Sequence, residues 1–123
     1  MGDVLAYVAA GAVALWGVAH VVPTSTVVRG FGDIDSDNRR IITQEWIAEG
    51  LTMWFVAALV IGATVFGSDR SETHWVYGAS ACMLVAVGVL TTVTGARTQV
   101  AWFKICVLVM GMSAALLVAA SVV

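Results

Sequence analysis

The sequence predicts an all-α fold, an integral membrane, antiparallel four-helix bundle built as a single domain over residues 1–123. Three observations predict it. First, 60% of the residues are hydrophobic and only 11% are charged, and the mean hydropathy is +0.94. A soluble domain of this size could not cover that composition with polar surface. Second, the apolar residues fall into four runs, Val4–Val22, Trp46–Phe66, Trp75–Thr94 and Ala101–Val122. Each is close to the ~20 residues that cross ~30 Å of hydrocarbon. Third, the last two connections, Gly67–Thr73 and Gly95–Val100, are short, which sets sequence neighbours antiparallel.

The first span is expected over about 4–22. Asp3 stands where a cleaved signal peptide carries positive charge, so this run reads as a retained transmembrane helix. Pro23 ends it, because a helix interior does not tolerate proline. Thr24–Ser36, with Gly30 and Gly32, reads as a loop, and Asp33, Asp35 and the adjoining Asp37 read as solvated. Asp35, Ser36 or Asp37 can cap a second helix over 38–66. At 1.5 Å per residue that helix is ~43 Å long, so its first turns, with Arg39 and Arg40, should reach into the headgroups. The third and fourth helices are expected over 74–95 and 101–122.

Basic residues orient the chain. Arg29, Arg39, Arg40, Arg97 and Lys104 lie on one side and Arg70 alone on the other. By the positive-inside rule the first side is cytoplasmic, both termini are outside, and the protein is a multi-pass protein of the cell membrane. Trp46 and Trp102 mark the inner boundary and Trp75 the outer one, while the deeper Trp54 reads as packing.

Stepping alternately by three and four gives each helix a candidate interior seam. These are Ala6, Ala10, Val13, Gly17, His20 in the first and Glu45, Glu49, Thr52, Val56, Leu59, Ala63 in the second. The third gives Gly78, Ala81, Val85, Gly88, Thr92, Gly95, and the fourth Lys104, Val107, Gly111, Ala114, Val118, Ser121. Three of these seams consist mainly of small residues, which permit the close backbone approach that drives association in lipid.

At the cytoplasmic end the seams present His20, Glu45, Glu49, Thr92 and Lys104, with Arg97 nearby. Ionisable groups inside a membrane protein face the interior and find partners. Glu45 and Glu49 repel each other across one helical turn when both are charged. A cation must relieve them, and Lys104, Arg97 and His20 are the candidates. Three uses are open: a polar lock on helix register, a pocket for a lipid or quinone headgroup, and a proton or ion path.

Other chemistry finds less footing. His20 and His74 fall at opposite ends and cannot share a metal, and His20 with two carboxylates lacks the thiolates or second histidine of a typical site. No metal is expected. Cys82 and Cys106 differ in depth by ~10 Å, too far for a disulfide, and both read as buried small residues. None of the common catalytic or nucleotide-binding motifs occurs. With a net charge of −2 and no block of like charge, nothing suggests nucleic-acid binding, and no nucleic-acid partner is expected.

The stretches "GAVALWGVAHVV" and "EWIAEGLTMWFVAALVIG" resemble the layout of the DoxX-like small membrane proteins, with His20, Glu49 and Gly50 as the matching positions. His20 is followed by Val21 where the family has glycine, and "DSDNRRIITQ" has no counterpart in it. The resemblance implies four membrane helices and association with membrane redox systems, as in a thiosulfate:quinone oxidoreductase subunit. The MAPEG enzymes are similar in size and helix count, but the residue order of "NRRIITQEWIAEG" differs from theirs. The expected function is therefore a lipid-embedded accessory subunit or homo-oligomer, within a larger membrane complex or alone, with a lipid or quinone pocket at its cytoplasmic end. A small membrane enzyme or quinone-linked redox subunit using His20, Glu45 and Glu49 is the first alternative, and a proton-coupled transporter the second.

Overall fold

The computed structural model describes all residues 1–123, which are 85% helical with no strand. The elements in order are α1 (Gly2–Val21), α2 (Thr24–Gly30), α3 (Ser36–Phe66), α4 (Arg70–Val93), a 3₁₀ turn (Gly95–Arg97) and α5 (Ala101–Ala120). Four of them, α1, α3, α5 and α4 with the turn that follows it, are long and apolar enough to cross a membrane.

Local chemistry explains the boundaries, including those that differ from expectation. Pro23 stops α1, but the chain turns helical again at once. The Pro23 carbonyl accepts from the amides of Thr26 and Val27, at 2.9 and 3.0 Å, so part of the expected loop is the short helix α2. Thr24 meanwhile donates its hydroxyl to the carbonyls of Val21 (2.7 Å) and His20 (3.2 Å), serving acceptors that the end of α1 leaves open. Gly32, at φ +74°, supplies the left-handed residue that turns the chain toward α3.

Among the three candidate caps of the second helix, Asp35 is the one used. Its carboxylate accepts from the amides of Asp37 and Asn38, both at 2.9 Å, so α3 begins at Ser36 rather than 38. At 31 residues it is ~46 Å long. The third long helix begins a turn earlier than expected, at Arg70, because Asp69 caps it by accepting from Ser71 N at 2.7 Å.

The long helices contact one another in the cyclic order α1, α3, α4, α5 and back to α1, with α3–α4 the sparsest contact. Gly2 lies against the Ala120 carbonyl, joining the start of α1 to the end of α5. His20 at the end of α1 meets Trp46 near the start of α3, and Thr64 late in α3 hydrogen-bonds Tyr77 early in α4 at 2.7 Å.

The α1 seam is the expected one: Ala6, Ala10, Val13, Gly17 and His20 are all buried, and Ala9 joins them. The other helices are rotated from their expected faces. On α4 the buried residues are Tyr77, Ser80, Ala81, Leu84, Gly88 and Thr91, leaving Val85 and Thr92 exposed. On α5 they are Cys106, Met110, Ser113, Ala114, Leu117 and Ala120, leaving Lys104, Gly111 and Val118 exposed. On α3, Gly50, Met53, Val56, Ala57 and Val60 are buried, and Leu59 faces out. Cys82, expected to be buried, is exposed, and both cysteines are free thiols.

Candidate functional site

The site begins with two glycines. Where α1 crosses α3, a methyl group on Gly50 would come within 2.6 Å of Val21 Cγ2 and 3.1 Å of the Gly17 carbonyl oxygen. One on Gly17 would strike the Trp54 indole at 2.7 Å and the Gly50 carbonyl at 3.0 Å. Only glycine permits this approach of the two backbones.

That approach brings two α3 tryptophans onto α1 carbonyls. Trp54 donates its indole N–H to Ala14 O at 3.1 Å, and Trp46 donates to His20 O at 2.7 Å. The His20 carbonyl lies in the last turn of α1, where carbonyls lack a full helical partner, so the Trp46 bond closes the helix end. Trp46 also stacks on the His20 imidazole, with centroids 4.9 Å apart and planes 23° apart.

His20 is 6% exposed. Its Nδ1 lies 3.3 Å from the Trp16 carbonyl, and its Nε2 lies 3.6 Å from Glu49 Oε2. The second distance exceeds a direct hydrogen bond and is an ion-pair distance when the ring is protonated. With Nδ1 donating to Trp16 O, Nε2 is the ring nitrogen directed at Glu49. Trp16 stands edge-on to His20 at 6.0 Å and faces Trp102 at 6.5 Å, while Phe103 meets Trp46 edge-on at 6.1 Å. The Trp16 indole N–H is buried without a hydrogen-bond partner. The site is thus an imidazole–carboxylate pair walled by aromatic rings from α1, α3 and α5, with Glu49 on its open side at 35% exposure.

The candidates named from the sequence separate clearly. His20 and Glu49 come together. Glu45 is exposed, with no cation within 4.0 Å, and so is Lys104 with no carboxylate that close. Arg97 is exposed in the 3₁₀ turn. Thr92 is exposed and bonds back to the Gly88 carbonyl at 2.7 Å, whereas its neighbour Thr91 is buried. His74 lies at the far end beside Tyr77, and no three His, Cys, Asp or Glu side chains gather anywhere as a metal site.

Trp16, Phe103 and the bonding role of Trp46 were not singled out beforehand. The signal was present in the spacing: Trp16 and His20 are four apart on one face, and Trp46, Glu49 and Gly50 fall at i, i+3 and i+4.

Compared with protein-family models, with characterised proteins and with solved structures, the chain finds no match.

Proposed function

We propose that this chain is a multi-pass integral membrane protein, an antiparallel four-helix bundle acting as a non-catalytic accessory subunit or homo-oligomer. Its His20 end faces the cytoplasm and Met1 and Val123 lie outside. The observation that carries the reading is the outward apolar surface. Leu15 (73% exposed), Phe55 (62%), Leu108 (63%) and Met112 (66%) stand on three helices with no cover from the chain itself. Water does not tolerate apolar surface of that extent on a stable monomer, whereas lipid or a second membrane helix does. Arg29, Arg39, Arg40, Arg97 and Lys104 gather at the His20 end, and Arg70 lies at the other with Met1 and Val123.

In this reading the His20–Glu49 pair ties the end of α1 to α3 inside an apolar surrounding. Beside the pair, a methyl group on Gly50 would come within 3.3 Å of the His20 Cβ, so glycine keeps the two helices close there. The open side at Glu49 favours a second reading, in which a quinone or lipid headgroup reaches the pair.

The test uses cysteines at positions 35 and 71 in a Cys82→Ala, Cys106→Ala background. An impermeant thiol reagent should label Asp35→Cys only in inverted vesicles and Ser71→Cys only in right-side-out vesicles. Labelling of both from one side, or release of the protein by alkaline carbonate, overturns the proposal. Native mass spectrometry from mild detergent reads oligomeric state and any bound quinone together, and a stoichiometric quinone would favour the second reading.

A further inference from the structure

A shallow, open groove lies between the end of α1, α2 and the start of α3, beside the His20–Glu49 site. It has a volume of about 480 Å³, and the side chains of Arg29 and Arg39 both line it, one from each helix. Neither guanidinium has a carboxylate within 4.0 Å; the nitrogen–carboxylate contacts at that distance are His20–Glu49 and Arg40–Asp37. Arg29 spends one donor on Thr26 Oγ1 at 3.2 Å, and Arg39 one on Gly32 O at 3.3 Å. Each guanidinium has five N–H donors, so most of this capacity remains free. The hydroxyls of Ser25 and Thr43 add polar lining, while Val21 and Val22 give the groove an apolar wall. Val22 immediately follows α1, so the groove sits where an apolar segment gives way to polar chain.

We infer that this groove binds the phosphodiester headgroup of an anionic phospholipid. The inference rests on the membrane reading above, and its ligand is distinct from anything at His20. Two planar guanidinium forks from different elements match the oxygens of one phosphate, and the valine wall suits the adjoining glycerol and acyl carbons. A free phosphate ion shares the charge chemistry but makes no use of the wall, so lipid is the occupant. Arg29 comes from α2, which starts directly after Pro23, and Arg39 from the first turn of α3, so both helices are needed to bring the two arginines to one groove.

The experiment is native mass spectrometry of the detergent-purified protein given equal phosphatidylglycerol and phosphatidylcholine with identical acyl chains. The expected result is enrichment of bound phosphatidylglycerol by about thirtyfold, on the scale of two arginines facing an anionic lipid. Arg29→Gln with Arg39→Gln should return the ratio to nearly one, with bound phosphatidylcholine and helical circular dichroism unchanged. Arg40→Gln with Arg97→Gln, which removes the same charge outside the groove, should keep the enrichment. The inference is overturned by absence of enrichment, by persistence of enrichment in the Arg29/Arg39 variant, or by equal loss in the control. Displacement of the lipid by millimolar inorganic phosphate also overturns it, because the groove would then be a site for the free ion. Loss of helicity in the Arg29/Arg39 variant is met by Arg29→Lys with Arg39→Lys, which keeps the charge and should keep part of the enrichment. Full retention there, in a folded protein, would overturn fork recognition in favour of simple charge. A protein that carbonate releases from membranes fails the membrane reading instead, whatever the lipid ratio.

Discussion

Replacing Glu49 by glutamine preserves shape and removes the charge that faces His20. The magnitude follows from burial. A fully exposed ion pair contributes ~0–1 kcal/mol, and removing one partner from a buried pair costs ~3–5 kcal/mol. His20 is 7% exposed at its side chain and Glu49 35%, so the pair lies between those limits. We expect Glu49→Gln to lower stability by about 1–3 kcal/mol. The assay is a double-mutant cycle in detergent with His20→Phe, which keeps a ring stacked on Trp46 and removes both nitrogens. A coupling of about 1 kcal/mol or more is expected between positions 20 and 49. The same cycle with Lys104→Met should be additive to within ~0.5 kcal/mol, because Lys104 is exposed with no carboxylate within 4.0 Å. Additivity between His20 and Glu49, or strong coupling to Lys104, would refute the reasoning.

Three further outcomes are expected. Gly50→Ala should cost about 1–3 kcal/mol, since its methyl would press on Val21 and the Gly17 carbonyl, whereas Gly62→Ala, with nothing within 4 Å, should be neutral or stabilising by up to ~1 kcal/mol; equal thermal stability of the two variants removes the case for a glycine crossing. Trp46→Phe keeps the stack on His20 but loses the 2.7 Å bond to its carbonyl, at a cost of about 1 kcal/mol, and hydrogen exchange at the end of α1 should rise while that at its start does not. At the start of α3, the backbone amide of Asn38, ahead of that of Asp37, holds the Asp35 carboxyl below its ordinary value of 3.8. A depressed folded pKa means the cap's contribution is present above the ordinary carboxyl value and is lost as pH falls through the lower folded value. Proteolysis across residues 32–40 should therefore accelerate only in strong acid, and Asp35→Asn should abolish that dependence; an onset near neutral pH would contradict it.

Segment length, helix class and the faces of only one helix were legible in the sequence. The lengths are set by apolar runs between Pro23, Asp35, Asp69 and Gly95, and a run of that kind states its class without reference to the rest of the chain. The buried face of α1 was legible because this helix touches both α3 and α5 and needs its smallest residues, Ala6, Ala9, Ala10 and Gly17, toward them. The α2 helix was hidden, since Pro23 before it and Gly30, Gly32, Asp33 and Asp35 at and after its end give the stretch the composition of a loop.

The azimuth of α3, α4 and α5 was decided only by tertiary packing. Leu84 and Leu117 are buried while Leu90 and Leu108 are not; on the proposed membrane reading, a solvent as apolar as the interior gives a leucine no instruction to turn inward. A step of one residue rotates a helix face by ~100°, enough to exchange Thr92 for Thr91 as the buried threonine of α4. The same rotation chose the partner of Glu49. Lys104 stands two residues, or ~200°, from the inward-facing Cys106, while His20 lies on the one seam that packs inward as expected.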